Sequence, residues 1–212
     1  LRGGATLARE QLVAEVRTLL GFSRTGARLE RQIAAAVDGL MIDGLIGEAL
    51  APYARRLVIA TKGGVEKTEP DKVFPDGRPE NLRQRCEESL RLLRVERIDL
   101  YQLHRPDPQV PLTESVGALA ELVREGKIRS IGLSEVSAAT LRRAHAVHPV
   151  AALQSEYSLW TRNPEIATLA ACRELGTAFV AFSPLARAFL TGTLLDPDRE
   201  LEAKDIRRQM PR

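Results

Sequence analysis

The sequence predicts an α/β fold with parallel strands, and three observations support this prediction. Short apolar runs such as "RLVIAT" and "AFVAF" alternate along the chain with longer amphipathic segments such as "PENLRQRCEESLRLLRV". The spacing of apolar residues therefore switches between the pattern of strands and the 3.6-residue pattern of helices. Gly126 and Gly176 follow two helical segments, where helices commonly stop. This alternation implies parallel strands joined by right-handed crossovers.

The elements follow one another in a regular order from residue 31. Helices are predicted at 31–39, 45–54, 79–95, 112–126, 137–147 and 163–176. Strands are predicted at 40–43, 56–61, 97–104, 128–134, 150–157 and 178–185. Asn163 and Pro164 are expected to begin the last helix as N-cap and first helical residue. Because α/β barrels exceed the usual domain length, one domain over residues 1–212 is expected.

Composition and charge narrow the function classes. The chain has 212 residues, 44% of them hydrophobic and 28% charged, which is a soluble globular composition. Its net charge is only +3 and the charges are interspersed, which argues against a nucleic-acid partner. No apolar run approaches the roughly 20 residues of a membrane span. Cys86 and Cys172 lack metal-ligand spacing, so we expect free thiols, no metal site and a cytoplasmic location.

Two architectures suit the alternation, a doubly wound open sheet and a (β/α)8 barrel. A dinucleotide-binding open sheet would normally carry G-x-G-x-x-G after its first strand, and this motif is not found. Polar residues instead stand at the carboxyl ends of successive predicted strands. They are Asp43, Lys62, His104, Ser134 with Glu135, Gln154 and Ser183. A barrel collects such residues on one rim, where barrel active sites lie, so the barrel is favoured.

Aspartate, lysine and histidine at three strand ends form a recognisable chemical set. An ammonium group beside an acidic hydroxyl favours the deprotonated form and lowers its pKa, and a carboxylate can keep that lysine charged. A histidine can hydrogen-bond a carbonyl oxygen and polarise it. These groups are the ones needed to protonate a carbonyl oxygen as hydride arrives at the carbon.

Several stretches resemble the aldo-keto reductase family. They are "LVIATKGG", "RIDLYQLHRPDP", "GKIRSIGLSEVSAATLRRA", "LQSEYSLWTR" and "VAFSPLARAFLTGTL", in the family's order over roughly residues 31 to 212. The resemblance implies a (β/α)8 barrel that binds NADP(H) without a Rossmann motif and reduces aldehydes and ketones to alcohols. It assigns Asp43, Lys62 and His104 to the catalytic set.

The resemblance also implies the residues that contact the cofactor. Ser134, Glu135 and Gln154 match positions that reach the nicotinamide carboxamide, although Glu135 replaces the common asparagine. Phe182 stands where many members stack a tyrosine on the nicotinamide. Ser183, Leu185 and Arg187 match the loop around the pyrophosphate, in which many relatives have glycine at the positions of Ala186 and Ala188. Trp160 is a candidate for the substrate pocket, with a partly exposed packing residue as the equal alternative.

The sequence departs from the family pattern at the catalytic tyrosine. "MIDGLIGEAL" passes almost directly from strand to helix, and Tyr53, Tyr101 and Tyr157 are poor substitutes. The last strand and helix of the barrel and some loops are also not found. Two explanations remain open: a tyrosine-bearing segment after Asp43 that the 212 residues do not include, or a deletion in an inactive relative.

These observations predict an NADPH-dependent carbonyl reductase with a small-molecule carbonyl substrate. The alternative is a catalytically weak, NADP(H)-binding regulatory subunit of the same barrel type, which the missing tyrosine favours. A barrel that uses Lys62 as a Schiff-base lysine is a third possibility.

Overall fold

The fold is described from a computed structural model. The structure describes residues 58–69 and 72–192. The predicted elements before residue 58, with Asp43 and Tyr53, lie outside the described residues. The chain divides into two compact units, Leu1–Ile131 and Gly132–Arg212. Each unit is described by itself.

The first unit begins with strand β1 (Ala60–Gly63) and a hairpin of β2 (Val65–Glu69) and β3 (Lys72–Pro75). Helix α1 (Pro79–Leu93), β4 (Ile98–Leu103) and helix α2 (Leu112–Arg124) follow. Strand β5 (Ile128–Ser134) crosses the boundary between the units. The second unit continues with α3 (Ala138–Val147), β6 (Val150–Glu156), a 3-10 turn (Asn163–Glu165), α4 (Thr168–Leu175) and β7 (Ala178–Phe182). This order confirms the predicted alternation of strands and helices.

Five of the strands form one sheet in the order β1-β4-β5-β6-β7. β1 pairs with β4 in parallel, and β6 pairs with β7 in parallel. Neighbouring parallel strands require a crossover, and α1 and α4 provide it for these two pairs. The carboxyl ends of paired strands therefore lie side by side, which is the arrangement that the predicted site needs.

Helices α1 and α2 each bury the side chains of one helix face. In α2, Val116, Leu119 and Leu122 are fully buried, at the three-residue spacing that places side chains on one helix face. In α1, Leu82 and Cys86 are fully buried at a four-residue spacing. Both cysteines are free and buried, as expected from their lack of ligand spacing.

The helix ends follow local chemistry. The Ser137 side chain accepts a hydrogen bond from the Thr140 backbone N–H and caps α3. Gly176 ends α4 with a φ of 67°, and Gly126 follows α2 with a φ of 75°. Both glycines adopt the left-handed conformation that commonly stops a helix, as predicted.

The structure differs from the sequence prediction in three places. β1 begins at Ala60 rather than at residue 56, and the β2–β3 hairpin is not predicted from the sequence. The helix expected over 163–176 is interrupted, because Ala167 has φ −153° and ψ −26°, outside the helical region. The expected N-cap at Asn163 is therefore wrong: Arg162 precedes the 3-10 turn and Ala167 precedes α4.

Candidate active site

In the first unit, Lys62 lies in β1, and His104 directly follows the adjacent parallel strand β4. Lys62 pairs with Gln102 in the β1–β4 register, and the His104 backbone N–H donates to the Gly63 carbonyl at 2.9 Å. Because side chains alternate along a strand, Lys62, Gln102 and His104 project from one face of the sheet. Two of the predicted catalytic residues are thereby brought to the same face.

The opposite face of these strands packs against α1. The Tyr101 hydroxyl donates to the Leu82 carbonyl at 3.5 Å, and a side chain at Gly64 would meet both Leu103 and Leu82. Tyr101 and Leu103 are fully buried. Lys62 and His104 therefore project from the face that α1 does not cover.

His104 is a half-buried histidine in a positive environment. Burial lowers its pKa below the ordinary histidine value, and the charges of Arg105 and Lys62 lower the pKa further. The ring is therefore neutral at neutral pH. A neutral imidazole carries one N–H donor and one acceptor nitrogen, so it can donate a hydrogen bond to a carbonyl oxygen.

Lys62 is half-buried and forms no ion pair within residues 58–69 and 72–192. The predicted partner, Asp43, lies outside those ranges, so its role stays a prediction. What the structure does place near the lysine is His104, whose pKa responds to the lysine charge.

The segment after His104 is held by a network around Gly77. The Asp107 carboxylate accepts hydrogen bonds from the Gly77 N–H at 3.1 Å and the Gln109 N–H at 2.8 Å. Ser115 donates from its hydroxyl to the Gly77 carbonyl at 2.7 Å. Aspartate in "HRPDP" thus ties the loop after β4 to the segment before α1, which limits the movement of the histidine.

Gln102 is a residue of this face that the sequence analysis missed. It is only 4% exposed, and its side-chain amide makes no hydrogen bond to any residue that the structure describes. The signal was present in "LYQLH", because a polar residue two positions before His104 must share its face in a strand.

In the second unit, Ser134 ends β5 and is buried, and Glu135 follows it. The Glu135 backbone N–H donates to the Gln154 carbonyl at 2.9 Å. The Glu135 carboxylate accepts from the Glu156 backbone N–H at 2.7 Å. Glu135 has a φ of 56°, in the left-handed region. Its carboxylate therefore serves as the acceptor for the Glu156 N–H of β6, where a backbone carbonyl would usually serve. One carboxylate oxygen is therefore engaged within the protein.

Gln154 was expected at the carboxyl end of its strand, but it lies within β6, which continues to Glu156. In the β6–β7 register, Gln154 pairs with Val180 and Glu156 pairs with Phe182. Gln154 and Phe182 therefore share a face of this strand pair. The Gln154 amide has no hydrogen-bond partner among the described residues, which leaves a donor and an acceptor for a carboxamide.

The loop that follows β7 has an unusual backbone. Ser183, Ala186, Arg187 and Ala188 have φ values of 50°, 47°, 54° and 74°. The last three of these residues are consecutive and form a left-handed turn, in which the Phe189 N–H donates to the Ala186 carbonyl and the Leu190 N–H to the Leu185 carbonyl. Leu185 is 56% exposed and Arg187 is half-buried. The Arg187 guanidinium suits a pyrophosphate, so the charge of this loop fits a dinucleotide.

Trp160 lies in the loop after β6 and is 57% exposed. Its ring is 5.4 Å from the ring of Phe189, which belongs to the loop after β7. Phe189 was not identified from the sequence, since no local pattern relates the two loops. The substrate-pocket role of Trp160 stays a prediction.

Two of the three tyrosines can be tested as proton donors. Tyr101 is buried on the face toward α1, and burial raises its pKa. The Tyr157 hydroxyl donates to Glu165 at 2.7 Å, and this hydrogen bond raises the pKa of Tyr157. A raised pKa makes a tyrosine a poorer acid, so neither replaces the missing catalytic tyrosine.

Metal and membrane features were also sought in the described part of the chain. Within it, there is no group of three or more histidine, cysteine, aspartate or glutamate side chains placed to hold a metal ion. The helices of these residues are too short or too polar to span a bilayer.

Comparisons with known proteins agree with this geometry. A model of the aldo/keto reductase family matches residues 43–210. The chain is 48% identical over 173 residues to aldo-keto reductase str7 of Strobilurus tenacellus, covering 79% of this chain and 50% of that protein. It is 50% identical over 153 residues to probable aldo-keto reductase 1 of Glycine max, covering 70% of this chain and 43% of that protein.

Two solved structures resemble the fold. Glycerol dehydrogenase AKR11B4 from Gluconobacter oxydans superimposes with a TM-score of 0.73 at 35% identity, covering 80% of this chain and 53% of that one. The holo form of aldo-keto reductase AKR11C1 from Bacillus halodurans gives 0.63 at 28% identity, covering 78% of this chain and 53% of that one.

This chain spans about half the length of the curated relatives it matches, 50% and 43%. The family and these solved structures confirm the predicted (β/α)8 barrel class. A model of the family matches residues 43–210, which is most of the chain, and the chain therefore belongs to the aldo/keto reductase family.

Proposed function

We propose that this protein reduces aldehydes and ketones to alcohols with NADPH. The observation that carries the proposal is the placement of Lys62 and His104 on one face of adjacent parallel strands, toward their carboxyl ends. The family match supports a carbonyl oxidoreductase, and the proposal adds the cofactor and the residue roles.

The proposed chemistry assigns one task to each residue. A nicotinamide bound beside these residues would supply the hydride that the carbonyl carbon accepts. His104, neutral at neutral pH, donates a hydrogen bond to the carbonyl oxygen and polarises it. Lys62, held by Asp43, lowers the pKa of the group that gives its proton to that oxygen.

The proton donor is proposed to be neither Tyr101 nor Tyr157. The environments of Tyr101 and Tyr157 support this proposal, because burial in one case and a carboxylate partner in the other raise the pKa.

The second unit is proposed to hold NADP(H). Gln154, with Ser134 and Glu135, would bind the carboxamide, and Phe182 would stack on the nicotinamide ring. Ser183, Leu185 and Arg187 would surround the pyrophosphate, where the guanidinium of Arg187 favours an anion.

A regulatory role without turnover is the second candidate. The observation that favours it is the lack of a suitable tyrosine among the described residues. In that case the same loop would bind NADP(H), and a partner protein would receive the signal.

The test is NADPH oxidation with nitrobenzaldehyde by the full chain and by Lys62→Met. We expect Lys62→Met to lose at least about 100-fold in kcat/KM, the scale of acid–base catalysis. Lys127→Met is the matched control, because Lys127 pairs with Glu87 and Glu125 on the surface. Unchanged turnover in Lys62→Met would contradict the assignment.

A fluorescence titration with NADPH and NADH accompanies the kinetics. Binding of NADPH without reduction of any carbonyl tested would favour the regulatory candidate. Tighter binding of NADH than of NADPH would contradict the proposed cofactor.

A further inference from the structure

Gln102 is a buried polar side chain that has no partner among the described residues. It is 4% exposed, less than the half-buried lysine and histidine beside it. A buried amide without a hydrogen bond destabilises the folded state, so such a group calls for an explanation. An apolar side chain of the same size would avoid this cost.

The neighbours of Gln102 define what it can bind. Lys62 is its register partner on β1, and His104 lies two residues further along β4. All three side chains project from the same face of the sheet. An ammonium group has three donors and no acceptor, and a neutral histidine ring has one acceptor nitrogen. A carboxamide has an acceptor oxygen for the first and a donor NH₂ for the second.

We propose that Gln102 is a positioning residue that links Lys62 to His104. Its carboxamide oxygen accepts from the Lys62 ammonium and its NH₂ donates to one ring nitrogen of His104, in each case through one water molecule, because these side chains make no direct hydrogen bond to one another. With that nitrogen engaged as an acceptor, the proton resides on the other ring nitrogen. The histidine is therefore fixed in a single tautomer, with its N–H free to meet a carbonyl oxygen.

A histidine that exchanges between tautomers presents the donor to the carbonyl only part of the time. A fixed tautomer presents the N–H donor to the carbonyl oxygen all of the time. A hydrogen-bonded Lys62 likewise keeps its charge at one position. This consequence for catalysis rests on the proposed function, whereas the link between the three side chains does not.

The test is the tautomer of His104 in the cofactor-free protein, measured from its ring nitrogen chemical shifts. The chain has only 3 histidines, so a His104→Asn variant assigns the signals. We expect one dominant tautomer in the parent protein. In Gln102→Met, which keeps the side-chain length and removes both polar groups, we expect the ring shifts to move toward those of an exchanging imidazole.

Tyr101→Phe is the matched control, because it removes a hydroxyl from the adjacent residue on the opposite face. It should leave the His104 shifts unchanged. Gln102→Leu provides a second variant if the methionine does not fold.

An unchanged tautomer in folded Gln102→Met and Gln102→Leu would overturn the inference. This result needs no turnover, so it is distinct from a failure of carbonyl reduction. If reduction is observed, kcat/KM of Gln102→Met should fall about tenfold, the scale of one hydrogen bond lost in the transition state.

Discussion

Gly63 marks the closest approach between β1 and the side chains of β4. A Cβ at this position would lie 2.7 Å from Cζ of Tyr101 and closer still to its hydroxyl oxygen. Tyr101 is fully buried against α1, so its ring cannot move away from an added Cβ. The glycine therefore lets the strand with Lys62 pair closely with the strand that carries His104.

Gly63→Ala is expected to lower the free energy of unfolding by about 1–3 kcal/mol, the usual cost of overpacking a core. Urea denaturation measures the effect. The control is Gly117→Ala in α2, where an added Cβ meets nothing within 4 Å. That substitution should raise the free energy of unfolding by about 0.5–1 kcal/mol, because alanine suits a helix better than glycine. Equal effects of the two substitutions would show that the Tyr101 contact is not limiting.

At the scale of an element, the loop after β7 combines function with strain. Ala186, Arg187 and Ala188 are consecutive and all left-handed, a conformation that costs L-residues about 1–2 kcal/mol each. Glycine adopts such φ values without this cost, so Ala186 and Ala188 are positions where glycine would relieve strain. The loop keeps the turn that the proposed anion site needs and accepts the strain that alanine adds.

Ala188→Gly is expected to raise the free energy of unfolding by about 1 kcal/mol, since it relieves a φ of 74°. Thermal unfolding measures the change, and a titration with NADPH reports whether the relaxed loop binds more tightly. Ala181→Gly is the control. Ala181 lies in β7, where glycine should destabilise by about 0.5–1 kcal/mol. A loss of stability in Ala188→Gly would contradict the strain argument.

At the scale of the whole molecule, the titrating groups set a range of pH for stability. Pairing with arginine holds the pKa of Asp76, Glu165 and Glu174 below the usual carboxyl range. Burial raises the pKa of the Cys86 thiol to about 11. The carboxylates contribute stability that is lost on acidification, and the thiol contributes stability that is lost as pH rises from about 9 toward 11.

Asp76→Asn tests the acid side. Arg78 donates to both Asp76 carboxylate oxygens, at 2.8 and 2.6 Å, and lowers the pKa of that carboxyl. The resulting stability is present above the unfolded pKa and is lost as pH falls through the lower folded pKa. At pH 7 we expect a loss of about 1 kcal/mol, because the exposed arginine is screened by solvent.

The difference between Asp76→Asn and the parent should shrink as pH falls below the ordinary aspartate pKa. Glu96→Gln is the control, as Glu96 is exposed and pairs with no described residue. Urea midpoints across pH measure both. A difference that stays constant down to pH 2 would rule out the Asp76 carboxylate as its source.

The sequence predicted the second half of the chain well and the connections less well. Periodicity located α1, α2 and the strands within a few residues, because the apolar pattern is local. The β2–β3 hairpin was missed, because it is held in part by a contact of Arg85 that the local sequence does not reveal. Its guanidinium donates to Glu66 at 2.8 and 2.6 Å and joins the hairpin to α1, which is a contact between distant parts of the chain.

The sequence by itself determined the order of strands and helices and the polar residues at strand ends, Lys62 and His104 among them. Those features follow from periodicity and residue type, which are properties of short segments. The tertiary structure decided that Lys62 faces Gln102 across two strands, that Gln102 is buried without a described partner, and that Glu135 bonds β6. These facts depend on strand register and on contacts between residues far apart in sequence, which no local pattern specifies.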